Sequence, residues 1–190
     1  LFGIDASNFP TIKGKFYAFD AAGQQQLSGI SELKVIENGM ARTITNISCP
    51  PYQPPRAISS VLVVDVSGSM KATRGTESNM ELAKSAARTW VNELPLGKSE
   101  CAITSFDNSN YLNQDFTTDR ALLLNAIAPL TPLNGTDYDA AFLHSMAGGL
   151  LVTNRAKHSR VIVFLTDGQG NGSESTILAE ALKQNCTIFC

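Results

Sequence analysis

Three short segments concentrate oxygen-bearing side chains of the kind that bind hard cations. Asp65-Val66-Ser67-Gly68-Ser69 spaces an acid and two hydroxyls two residues apart on a Gly-containing turn. Asn134-Gly135-Thr136-Asp137 is a second such turn, and Asp167 closes the apolar run VIVFLT that begins at Val161. Carboxylate and hydroxyl oxygens from three loops suit Mg²⁺ or Mn²⁺, with Ca²⁺ a further candidate. Each residue alone has a plainer reading, since Asp and Ser are ordinary turn and capping residues. Together, on three turns, they point to a cation.

The elements that must carry these residues read as alternating strands and helices from Ser59 onward. Val61 to Asp65 is an apolar strand ending in an acid. Ser78-Asn79-Met80-Glu81 is a capping-box signal, opening a helix with Met80, Ala83, Ala87, Trp90 and Leu94 at helical spacing. Ala102 to Phe106 and Tyr111 to Phe116 read as strands, and Arg120 to Ala128 as a helix stopped by Pro129. Asp137 to Val152 is predicted as one long helix. Val161 to Leu165 lacks alternation, as a parallel strand covered on both faces does. Glu174 to Gln184 then reads as a helix and Thr187 to Phe189 as a strand. This order predicts an α/β domain with a doubly wound, mostly parallel sheet flanked by helices. Ligands of such sheets bind at the carboxyl ends of strands, where strand order reverses. Asp65 and Asp167 both fall at such ends.

Asp65-x-Ser67-x-Ser69, then Thr136, then Asp167 resembles the metal-ion-dependent adhesion site of von Willebrand factor type A domains. The separations, 71 residues to Thr136 and a further 31 to Asp167, fit that family. The resemblance covers residues 59–190 and implies that Ser67, Ser69 and Thr136 ligate the ion directly. It implies that Asp65 and Asp167 act largely through metal-bound water. It further implies a bacterial surface or secreted adhesion module whose protein or glycan partner offers a carboxylate. Since the family's fold continues with further strands and a final helix, the domain is expected to be truncated at Cys190.

The first 49 residues read as a small β-rich module, an incomplete immunoglobulin-like unit among the options. Its clearest signal is Asn38-Gly39 between the runs Leu33 to Glu37 and Ala41 to Ile47, because both hairpin-turn positions favour positive φ. About fifty residues of strand make only a thin core. Residues 50–58 read as a Pro-rich linker, stiff and extended.

Composition excludes some classes. The net charge of −2 and the absence of a Lys/Arg stripe argue against nucleic-acid binding. No apolar run approaches the roughly 20 residues of a membrane helix, and no signal peptide is visible at the start. Cys101 and Cys186 read as buried strand residues. Cys49 and Cys190 are the candidates for a pair in an oxidising compartment. Asn46, Asn134, Asn171 and Asn185 each open a glycosylation sequon, and a glycan on Asn134 would crowd the proposed ion.

Binding by an extracellular or cell-surface module is therefore the leading expectation, and an enzyme is not expected. An intracellular assembly factor of a chelatase or ATPase complex is the alternative. A metal-dependent hydrolase fits less well, because His144 and His158 share no metal-binding spacing and no general base accompanies the hydroxyls. Loops Lys71 to Asn79, Leu133 to Tyr138 and Gln169 to Ser175 are expected to set specificity. Arg74 is a candidate for steering an acidic ligand.

Overall fold

The structure, a computed structural model, describes residues 2–23, 25–26, 33–48 and 56–190. The chain divides into two units, Leu1–Pro54 and Pro55–Cys190.

In the first unit the described strands pair as three separate antiparallel ladders. These are β1 (Phe2–Asn8) with β2 (Thr11–Lys15), β3 (Ala18–Phe19) with β4 (Gln25–Gln26), and β5 (Val35–Glu37) with β6 (Met40–Arg42). Asn38 (φ 51°) and Gly39 (φ 80°) make the expected hairpin turn, since both occupy the left-handed region. The ladder stops at Arg42, short of the predicted Ile47. None of the described side chains of this unit is buried. Cys49 and the prolines from Pro50 to Pro55 lie outside the described residues.

The second unit is built on β7 (Ile58–Asp65), whose Val61, Leu62, Val63 and Val64 are fully buried. Alternate residues face opposite sides, and both sides are covered. Leu62 and Val64 pack with Ala83, Ala87 and Val91, while Val61 and Val63 pack with Phe142, Leu150 and Phe164. A 3-10 turn (Gly68–Lys71) and a small hairpin, β8 (Thr73–Arg74) with β9 (Glu77–Ser78), lead into α1 (Asn79–Glu93). The Ser78 hydroxyl caps α1 by accepting from Glu81 N at 3.2 Å. Then come β10 (Glu100–Phe106), β11 (Asn110–Thr117) and α2 (Arg120–Ile127). Two short helices follow, α3 (Tyr138–Phe142) and α4 (Gly149–Val152). The chain finishes with β12 (Ser159–Leu165), α5 (Glu174–Lys183) and β13 (Cys186–Phe189). The sheet order is β11-β10-β7-β12-β13, with only β11 antiparallel. This is the predicted architecture, with β7 central and the chain wound to either side of it.

A polar cluster pins the starts of the three inner strands. Buried Glu100 accepts from the Ser59 hydroxyl at 2.8 Å and from Lys157 N at 3.0 Å, while Ser59 Oγ accepts from His158 N at 3.0 Å. Their carboxyl ends are thereby held level.

The predicted helix from Asp137 to Val152 is not continuous, and the reason is local. It breaks at residues 143–148, where Met146 takes φ 83°. Asn110 fills the break: its amide nitrogen donates to the Ala140 and His144 carbonyls at 2.8 and 3.1 Å, and its oxygen accepts from Ala147 N at 3.1 Å. The break lets Gly149 settle on the sheet, where an added Cβ would lie 2.8 Å from Val63 Cγ2. Apolar periodicity does not register a bond arriving from a strand 30 residues earlier. Asn110→Ala should lower the unfolding free energy by about 1–3 kcal/mol, read as a shifted urea midpoint. An unchanged midpoint would remove Asn110 from this account.

Among the described cysteines, Cys101 is buried in β10, Cys186 is half-buried in β13 and Cys190 is exposed, all three as free thiols. Burial pushes the Cys101 thiol up to about 11. At pH 8 it is overwhelmingly protonated and inaccessible, hence unreactive. Iodoacetamide applied to the folded protein should alkylate Cys190, and Cys101 only after denaturation, as read by peptide mass mapping.

Candidate metal centre

Asp65, Ser67 and Ser69 leave the central strand together. Asp65 and Ser67 are fully buried, and Ser69 is partly exposed. Asp65 Oδ1 accepts from Ser67 N at 2.8 Å, which folds the chain back so that both hydroxyls follow the acid. Ser67 Oγ and Ser69 Oγ lie 3.1 Å apart. Two adjacent ligands of an octahedral Mg²⁺ at its usual bond length are about 3 Å apart. This pair therefore fits one edge of such a coordination sphere.

Asp167 enters from the neighbouring strand. Its Oδ1 accepts from Gln169 N at 3.1 Å, and Asn79 Nδ2 approaches its Oδ2 at 3.5 Å. The closer link between the strands is Thr166, whose hydroxyl donates to Asp65 Oδ2 at 2.7 Å and accepts from Gly168 N at 3.1 Å. Register explains this: Leu165 pairs with Val64, so the next residues along, Thr166 and Asp65, stand side by side. Both oxygens of Asp65 thus have a neutral donor, which satisfies a buried carboxylate without a basic partner.

Thr136 arrives on a loop tied to the same face. Gly68 N, between the two serines, donates to the Asn134 carbonyl at 2.8 Å, and Leu133 N donates to Val66 O at 2.7 Å. On its other side the Thr136 loop meets the segment after Asp167. Tyr138 N donates to Asn171 O at 2.9 Å. Gly170 lies so close that an added Cβ would run into the Tyr138 ring and reach 2.8 Å from Thr136 Cγ2. Ser173 donates to Asp139 from its backbone nitrogen at 2.8 Å and its hydroxyl at 2.9 Å. These two bonds hold the Asp139 carboxyl below the usual carboxylate range.

The five sequence-predicted residues therefore stand on three loops that are hydrogen-bonded to one another at the carboxyl ends of β7 and β12. These loops carry two acids and three hydroxyls, oxygen donors of the kind that suit a small hard dication. The histidines stand apart, both exposed: His144 Nδ1 is 4.0 Å from Asp137 Oδ2, and the His158 backbone serves the far end of the sheet. The Arg74 side chain lies outside the described residues.

Sequence reasoning missed two residues here. Thr166 carried a signal, a hydroxyl directly before the acid at a strand end. Asp107 carried another, since it ends the strand CAITSF as Asp65 and Asp167 end theirs. It is buried, and it takes hydrogen bonds from several parts of the site.

Residues 60–169, more than half of the chain, match the sequence profile of the von Willebrand factor type A domain. No curated protein sequence matches. Among solved structures, the conserved hypothetical protein BatB from Bacteroides thetaiotaomicron is similar at 19% identity with a TM-score of 0.59, over 70% of this chain and 64% of that one. The PilB minor pilin from Streptococcus sanguinis is similar at 23% identity and 0.52, over 63% and 31%. Proximal thread matrix protein 1 from the mussel byssus is similar at 20% and 0.54, over 70% and 35%. At such identities the likeness is one of fold. The chain spans just under two thirds of BatB and about a third of the other two.

Thr166→Val keeps the volume near Asp65 but deletes its donor. Unfolding free energy at neutral pH should fall by about 1–3 kcal/mol, measured by denaturant titration. A loss of under a few tenths would mean that the Asp65–Thr166 bond contributes nothing net.

Proposed function

This chain belongs to the von Willebrand factor type A domain family, and from that premise we propose that it is an adhesion or protein-interaction module that grips an acidic partner through a divalent cation. The observation that carries the proposal is the pair of serine hydroxyls, 3.1 Å apart, set in front of a buried Asp65 at the exit of the central strand.

In this reading Ser67, Ser69 and Thr136 hold Mg²⁺ directly, with Mn²⁺ or Ca²⁺ as substitutes, and Asp65 and Asp167 hold it through water. The bound ion supplies a strong electrophile that a partner carboxylate completes. The division of labour suits the geometry. Asp65 already accepts one donor on each oxygen, so it stands behind the hydroxyls and orients water with its remaining lone pairs. The hydroxyls are neutral and leave most of the ion's charge for the partner. The partner is a protein or glycan offering a carboxylate. Exposed residues of the surrounding loops, among them Lys71, Leu133 and Gln169, form the rim it meets.

Binding rather than catalysis is supported by the same contacts. Among the described residues, neither histidine hydrogen-bonds to Ser67 or Ser69, whose hydroxyls pair with each other. No helix among the described residues is long and apolar enough to cross a membrane. A surface or extracellular setting is in keeping with two structural neighbours, a minor pilin and a byssus matrix protein.

Calorimetry with Mg²⁺ and Mn²⁺ tests the site. One binding event is expected, abolished by Asp65→Ala or Ser67→Ala. Metal at a hundredfold excess over Kd should stabilise the parent by about 2.7 kcal/mol. No heat and no thermal shift up to millimolar metal, in a folded sample, would overturn the assignment. Mg²⁺-dependent turnover of a phosphate, ester or peptide substrate that disappears in Thr136→Ala would overturn the binding-module reading.

A further inference from the structure

We propose that Asp107 is a positioning residue for this site: it sets where Thr136 stands relative to Ser67 and Ser69, and thereby sets metal affinity without touching the metal. The inference rests on the metal-site reading above and adds a residue that the five-residue motif does not contain.

Asp107 follows β10 directly and is 2% exposed. Its carboxylate accepts from Asn134 Nδ2 at 2.7 Å, from Ser109 N at 2.8 Å and from the Tyr111 hydroxyl at 3.3 and 3.4 Å. Its main-chain carbonyl accepts from Asp137 N at 2.9 Å. Thr136 lies between these two anchors, with Asn134 two residues before it and Asp137 one residue after. Both flanks of Thr136 therefore end on one residue of a different strand.

The same loop reaches the serines through Asn134. Its carbonyl accepts from Gly68 N, and its backbone sits at φ 62°, a left-handed conformation that a non-glycine residue adopts at a cost. The bond from its amide to a buried carboxylate offsets that cost, being charge-assisted. One chain of contacts thus runs from Asp107 through Asn134 to Gly68, which separates the two serine ligands. Phe106 pairs with Asp65 in the sheet, so Asp107 stands one residue beyond the level of Asp65, where the chain leaves β10. A purely structural carboxylate would brace only its own turn, as Asp107 does with Ser109. The additional bonds to both sides of Thr136 are what point to positioning.

Two variants separate the possibilities. Asn134→Gly keeps the left-handed backbone at ease and deletes only the amide. Asp107→Asn keeps the shape and removes the charge. Amide hydrogen exchange of Gly135, Thr136 and Asp137, followed without metal, should quicken about tenfold in both, while the amides of β7 and β10 stay as in the parent. Calorimetry with Mg²⁺ should show Kd weakened about tenfold, the scale of one hydrogen bond to a charged group. The exchanged pair Asp107→Asn with Asn134→Asp restores the bond with its sense reversed, and should recover both loop protection and affinity. Loop exchange that is unchanged in Asn134→Gly and Asp107→Asn would overturn the proposal, as would a looser loop with parental affinity. If the parent itself binds no Mg²⁺ and matches Ser67→Ala, the metal reading falls. The exchange measurement then still decides whether Asp107 holds the loop.

Discussion

The parallel register of β7 with its two neighbours is the constraint on which the rest depends. Asp65 pairs with Phe106 on one side, and Val64 with Leu165 on the other, so three strand exits come out level. Apolar patterning alone would not secure this. Both faces of β7 are covered by apolar side chains, so a slip by one residue would exchange one buried set for another. The polar ends break that degeneracy. Ser59, Glu100 and Lys157 close one end of the sheet, and Asp65 with Thr166 closes the other. A slipped register would take Asp65 away from Thr166 and Glu100 away from Ser59 and Lys157, at a cost of about 1–3 kcal/mol for each buried carboxylate. Asp65, a residue of the candidate site, is thus also one of the residues that fix the sheet.

The fold and the site differ in how far the sequence exposes them. Strands such as Val61 to Asp65 and the capped helix at Asn79 announce themselves because their causes are local: branched apolar residues and a serine hydroxyl three residues from Glu81. The five oxygen donors were legible because their spacing is a family pattern. What escaped has its cause elsewhere in the chain. The helix break at 143–148 is made by Asn110, more than thirty residues away. Thr166 and Asp107 join the candidate site only when strand pairing brings Thr166 beside Asp65 and Asp107 within reach of Asn134. In the first unit the Asn38-Gly39 turn was legible for the same local reason, while the extent of its strands was not.

The arrangement separates two tasks that a simple cluster of acids would merge. The two carboxylates each have N–H or O–H donors of their own, which fix their direction. In the proposed reading the hydroxyls lend oxygens without charge. A cation held mainly by carboxylates would be tightly bound and largely neutralised. A cation held by hydroxyls keeps its appetite for an anion. In the proposed reading, fixed acids and neutral hydroxyls leave a bound cation free to respond to an incoming anion.

The bond from Thr166 to Asp65 also bears on how the chain folds. Its partners are 101 residues apart, whereas β10 and β11 are joined by a tight turn. Loop-closure entropy must be met before such a distant contact gives any return, so the local hairpin can form early and the two site strands pair late. Their meeting requires every intervening element to be out of the way or already packed. The binding face is therefore complete only when the whole sheet is complete. No partly synthesised chain that stops short of residue 166 can assemble the candidate site.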